Sequence, residues 1–220
     1  MARPPGHGPA FQGRRELIID QAAALFAKRG YAATGIADIC RQVNLGKGAL
    51  YFYIGSKENL LVEIQNCVLK PLLADAHRIK ALHETAMVRL RLLSEHLVAM
   101  IFGRLAHIWV YEHDWRYLSK SNRTRVLHQR HQFEDLVCSL LEEAMDDGYI
   151  AATHSKLATL EFLNLHNHTY QWARPDLSWR PSDLSTGYFR TLMLGFGATA
   201  ESVQQAESIA RLITADNSCE

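Results

Sequence analysis

Between Ile36 and Tyr53 two apolar repeats, each about two helical turns long, are separated by only three residues. Ile36, Ile39, Cys40 and Val43 recur at the three- and four-residue spacing of one helix face, which predicts a helix over Ile36 to Val43. Asn44-Leu45-Gly46 interrupts the pattern with two residues that tolerate the left-handed backbone of a tight helix-to-helix turn, and a third helix follows over Lys47 to Tyr53. A longer amphipathic helix precedes the pair, from about Arg14 to Arg29, with Ile19, Ala22, Ala23 and Phe26 on one face, Gly30 as its stop, and Tyr31 and Ala32 leading into a turn. Two short helices joined by a three-residue turn and backed by a longer one form the helix-turn-helix plan, whose second helix lies in the DNA major groove.

The rest of the chain also reads as helix. No run of alternating β-branched residues bounded by hairpin dipeptides appears, so the fold class is all-α: an N-terminal three-helix helix-turn-helix domain over residues 1–56, followed by a larger helical domain over 57–220. A long fourth helix starts at Lys57 with Leu60, Leu61, Ile64 and Val68 on one face, and Pro71 either kinks it or ends a segment. Further helical patterns fall near 80–105, 106–118, 121–147, 153–173 and 182–197, with a polar tail after Gly197. Pro181-Ser182-Asp183 is a helix start, and Leu184, Tyr188, Leu192 and Gly195 form a stripe behind it.

A net charge of +1 hides an asymmetry. Up to Leu60 the chain carries Arg3, Arg14, Arg15, Lys28, Arg29, Arg41, Lys47 and Lys57 against Glu16, Asp20, Asp38 and Glu58, a net +4 that leaves the remainder at −3. A basic module on a mildly acidic body suits contact with a polyanion at one end. With 48% hydrophobic and 21% charged residues the chain is globular in composition. No stretch approaches the roughly 20 uninterrupted apolar residues of a bilayer span, and Met1 to Phe11 lacks a signal core, so a cytoplasmic location and no membrane partner are expected. Cys40, Cys67, Cys138 and Cys219 lie far apart without a CxxC pair and read as reduced thiols.

The run Gly30-Tyr31, Thr34, Ile36, Asp38-Ile39, Leu45, Lys47-Gly48-Ala49-Leu50-Tyr51, Tyr53, Ser56-Lys57-Glu58 and Leu60-Leu61 closely resembles the N-terminal signature of TetR-like transcriptional regulators. Gly35 and Gly46 stand where that signature has Ser or Thr, and Asn44 replaces its turn Gly. The resemblance implies a DNA-contacting set of Thr34, Gly35, Lys47, Gly48, Ala49, Tyr51, Phe52, Tyr53 and Lys57. Lys47 and Lys57 each join a cation to a helix N-terminus, and Thr34 offers a hydroxyl to phosphate as well as a local cap. Phe52 touches a thymine methyl or lies against the first helix; Tyr53 is a groove contact or core. An N-terminal arm with Arg3, Arg14 and Arg15 is in reach of the minor groove. A helix of about seven residues reads few base pairs, so a two-fold dimer on palindromic double-stranded DNA is expected.

The resemblance further implies that the body binds an effector and dimerises through the last two long helices, roughly Ser155 to Trp172 and Ser182 to Phe196. The segment Trp109 to Arg116, with Arg123, Arg125 and Tyr170 to Pro175, looks like the C-terminal domain of TetR-like regulators of lipid and sterol breakdown that respond to acyl-CoA thioesters. The effector residues so implied are Trp109, His113, Trp115, Arg116, Arg123, Tyr170 and Trp172, arginines taking CoA phosphates and an apolar tunnel the acyl group. The function expected is a dimeric repressor released from its operator by a small hydrophobic or acyl-CoA-type molecule, with no cofactor and no catalysis. Two other readings are an all-α enzyme using Glu112, His113 and Asp114 for acid-base work, and a metal sensor using His128, His131 and Asp135 at i, i+3, i+7, with His166 and His168 as a second cluster.

Overall fold

The computed structural model describes residues 8–151, 154–174 and 179–216. These form α1 (Pro9–Arg29), α2 (Ile36–Val43), α3 (Lys47–Ile54), α4 (Lys57–Lys80), α5 (Ala86–Gly103), α6 (Leu105–His113), α7 (Lys120–Asp146), α8 (Ser155–Asn167), α9 (Pro181–Gly195) and α10 (Ala200–Asp216), with 3-10 turns at Trp115–Tyr117 and His168–Gln171. Among the described residues there is no strand, and no helix is long and apolar enough to cross a membrane.

Packing divides the chain into two compact units. One takes the chain up to Leu69 together with Arg104–His128; the other takes Lys70–Gly103 and the chain from Gln129 onward. Compactness therefore draws its line elsewhere than residues 56 and 57, because α6 and the start of α7 pack with the N-terminal helices.

In the first unit α1 buries Ile18, Ile19, Ala22, Ala23 and Phe26, the spacing that one helix face dictates. Gly30 stops it: its positive φ of 82° is open to glycine, and its N–H closes on the Phe26 carbonyl at 2.7 Å. Ile39, Val43, Leu50, Ile54, Leu60, Leu61 and Ile64 complete this core, with Val110, Leu118 and Val126 from α6, its following turn and α7. α4 runs on through Pro71 to Lys80, so the proline ends no segment, though its missing N–H leaves the Cys67 carbonyl without its helical partner.

In the second unit α5 is apolar nearly all round, burying Ala86, Met87, Val88, Leu90, Leu92, Leu93, Leu97 and Val98, and it packs against α8, α9 and α10. Fully buried Ser94 on α5 donates to His166 Nε2 of α8 at 2.7 Å, while the ring's Nδ1–H reaches the Phe162 carbonyl at 2.7 Å. The expected polar tail after Gly197 is corrected. It is the helix α10, whose Val203, Ala206 and Ala210 are buried at three- and four-residue spacing.

Candidate DNA-contacting surface and effector segment

The turn between α2 and α3 has the geometry its residues dictate. Asn44 is left-handed (φ 51°, ψ 54°), the Leu45 N–H bonds the Cys40 carbonyl at 3.0 Å, and Gly46 caps α3 from extended backbone. α3 turns Leu50 and Ile54 into the core and leaves Lys47, Gly48, Ala49, Tyr51 and Phe52 exposed. Gly46 offers no side chain to the first-turn N–H groups, which stay open to a phosphate beside the Lys47 ammonium. Phe52 meets Phe11 of α1 edge to face at 5.6 Å, yet remains 61% exposed. Tyr53 is half-buried and stacks on Phe11 at 4.8 Å.

Four expected contacts are corrected. Thr34 is fully buried and donates its hydroxyl to the Gly30 carbonyl at 2.9 Å, and the cap of α2 is Gly35, whose N–H goes to Asp38 Oδ2 at 2.8 Å. That bond, with Arg41 beside it, holds the Asp38 carboxyl below its ordinary range. Lys57 is directed inward: its ammonium donates to the Tyr31 carbonyl at 2.6 Å and lies over the Tyr31 ring. Arg14 and Arg15 belong to no arm. Both are in α1, Arg14 donating to the Val43 carbonyl at 2.7 Å and Arg15 pairing with Glu63 at 3.2 Å. Arg3 lies outside the described residues.

Of the effector candidates, the structure brings Trp109 and His113 together on α6, their rings stacked at 4.1 Å, with the His113 Nδ1–H on the Trp109 carbonyl. Trp115 packs against the first unit's core and Arg116 is exposed. Arg123 donates to the Arg116 and Leu118 carbonyls at 2.9 and 3.1 Å, so its guanidinium closes the 3-10 turn. In the second unit the half-buried Tyr170 takes a hydrogen bond from Gln171, and Trp172 meets Trp179 edge-on at 6.3 Å.

Residues 18–64 match the family described as bacterial regulatory proteins, tetR family, and residues 83–196, more than half of the chain, match the tetracyclin repressor-like C-terminal domain. The chain belongs to the TetR family. Over 150 residues, 67% of this chain and 74% of its relative, it is 29% identical to the HTH-type transcriptional repressor KstR2 of Rhodococcus jostii. The ketosteroid transcriptional regulator KstR2 of Mycobacterium tuberculosis superposes with a TM-score of 0.79 at 22% identity, covering 88% of this chain and 98% of that one. AibR, solved with isovaleryl coenzyme A and operator DNA, gives 0.75 at 22% identity over 84% and 100%. Likeness at these identities establishes the fold.

Family membership makes this chain a DNA-binding transcriptional regulator and removes the enzyme reading. Asp114 is buried and accepts the Tyr31 backbone N–H, burial pushing its carboxyl above the ordinary range, while His113 lies on Trp109. Among the described residues no group of three His, Cys, Asp or Glu side chains converges, and His128, His131 and Asp135 are not drawn together. His166 is taken up by Ser94 and the Phe162 carbonyl.

Sequence reasoning passed over Phe11, which packs against Phe52 and Tyr53 of α3. Phe11 sits in a stretch that reads as an arm, yet Gly8-Pro9 carries the signal of a helix start, a proline at the first helical position.

Proposed function

We propose that this TetR-family regulator is a homodimeric repressor that leaves a palindromic operator when a small hydrophobic or acyl-CoA-type effector binds. In this reading residues 1–56 hold DNA, residues 57–220 bind effector and dimerise, and the protein works in the cytoplasm. The observation that carries it is α3, which exposes Lys47, Gly48, Ala49, Tyr51 and Phe52 beside an uncapped helix start. One such helix reads too few base pairs for selectivity, so two copies on one operator follow.

Leu157 and Leu160 on α8 and Leu194 on α9 are exposed, and the two helices pack on one another, which supports dimerisation through this pair. The effector class is supported by the likeness to KstR2 and AibR, the latter solved with isovaleryl coenzyme A. Trp109, His113, Trp115 and Arg116, all of the first unit, are side chains proposed to meet the effector. Release is a population shift whose size equals the ligand's preference for the state that does not bind DNA.

Native mass spectrometry of the freshly purified protein, beside a denatured control, tests assembly and ligand together. A dimer carrying a mass that fits a CoA thioester is expected. A gel shift on an operator selected from random DNA, titrated with isovaleryl-CoA and with free CoA, tests release. A monomer that binds no selected DNA overturns the repressor reading, and a dimer released by neither compound overturns the effector class alone.

A further inference from the structure

α1 begins at Pro9, more than a turn ahead of the apolar pattern that announces it. Gly8 caps it through its carbonyl, which accepts the Phe11 and Gln12 N–H groups at 3.0 and 3.2 Å. The start of α1 holds both helices of the helix-turn-helix. The Phe11 ring stacks on Tyr53 at 4.8 Å and 24°, and meets Phe52 edge to face at 5.6 Å and 85°; Phe52 and Tyr53 meet each other edge-on at 5.5 Å. Three residues on, the Arg14 guanidinium reaches the Val43 carbonyl at 2.7 Å, at the last residue of α2, where a cation also meets the negative end of the helix. One helix is held by rings and the other by a charged hydrogen bond.

Phe52 is the informative member. It is a large apolar ring on the recognition helix, held by Phe11 and Tyr53 and still 61% exposed. A ring in water that keeps one orientation suits an apolar partner in a fixed place, and the major groove offers one in the 5-methyl of thymine. Without Phe11, Phe52 keeps only Tyr53, whose own ring has lost its stacking partner; both side chains gain rotamer freedom, and ordering Phe52 on DNA then opposes binding.

We infer that Phe11 is a positioning residue for sequence recognition, holding Phe52 so that its open side reads a thymine methyl, with Arg14 fixing the α2 end of the same brace. The test uses the full chain and an operator that it selects from random DNA, each thymine replaced in turn by uracil, which removes the methyl alone. Wild type is expected to lose about three- to ten-fold in affinity at one thymine of each half-site. Phe52→Ala shows no loss there, Phe11→Ala shows less than about two-fold, and Phe11→Tyr, which keeps the ring, retains the full effect. Phe11→Ala stays folded at the assay temperature and keeps the wild-type affinity for non-specific DNA; should it unfold, Phe11→Leu supplies apolar bulk without the ring and is read in its place. The inference is overturned if no thymine shows a methyl effect, if the effect is as large without the Phe11 ring as with it, or if specific and non-specific binding fall together.

Discussion

The ammonium of Lys57, at the start of α4, donates to the backbone carbonyl of Tyr31 at 2.6 Å and stands 4.0 Å above the centre of the same residue's ring. Phe26 lies beneath it as well, at 5.8 Å. Burial pushes the Lys57 pKa down, opposed by the Asp114 carboxylate, and burial likewise pushes the Tyr31 hydroxyl up. A half-buried cation held by one carbonyl and two ring faces ties α4 to the turn after α1; it is directed inward, away from a phosphate.

Lys47 and Lys57 are therefore expected to separate in a salt titration. Lys47→Ala should flatten the dependence of log K on log salt by about one phosphate's worth, a slope change near 0.9, because its exposed ammonium displaces a counterion. Lys57→Met should leave that slope unchanged and lower stability by about 1–2 kcal/mol through the lost charged hydrogen bond. Filter binding at several salt concentrations, with thermal melts of the same samples, reads both. Equal slope changes for the two variants would return Lys57 to the DNA surface.

What the sequence shows and what it hides divide along the range of the interactions concerned. α2 begins and ends where its pattern says, since Ile39 and Val43 mark its buried face and Asn44 breaks it locally. α10 escaped because its buried positions include Ala206 and Ala210, whose small side chains leave little periodic signal among Glu201, Gln204, Gln205 and Glu207. Thr34 and Lys57 were misread for another reason. A hydroxyl or an ammonium has the same letter whether it faces water or bonds its own backbone, and the Gly30 and Tyr31 carbonyls that take them are fixed only by the packed turn. Phe11 became visible only once α3 lay beside it.

Stability should fall in mild acid because of His166. Burial lowers its pKa from 6.5 to about 4, so the folded protein keeps the ring neutral where the unfolded chain protonates it. Between pH 6.5 and about 4 the unfolded state binds the extra proton, and stability is lost as pH falls through that window, by roughly 3 kcal/mol in all. His166→Phe keeps a ring against Phe162 and Tyr188 and should remove this part of the acid limb. Urea midpoints at pH 7, 5.5 and 4.5 check it: the gap between wild type and variant must change with pH, and parallel curves would refute the assignment.

The pair that holds α10 gives the sharpest stability test. Arg190 of α9 grips Glu207 with both arms, Nε at 3.2 Å and Nη2 at 2.7 Å, and the Glu207 side chain is only 4% exposed against 54% for the arginine. Removing the arginine takes both hydrogen bonds from a carboxylate that is 4% exposed and leaves it only the field of the buried Arg91, whereas removing the carboxylate's charge leaves an arginine that water can still reach. Arg190→Ala is thus expected to cost about 3 kcal/mol, and Glu207→Gln about 1. The double variant should be more stable than Arg190→Ala alone, since a neutral amide is cheaper to leave buried than an unpaired charge. At roughly 2–4 °C per kcal/mol for a chain of this size, the single arginine variant should melt some 6–12 °C below wild type. Melts of the four proteins decide the matter: additive losses would mean that the two groups do not act on each other, and that α10 is anchored by its apolar face alone.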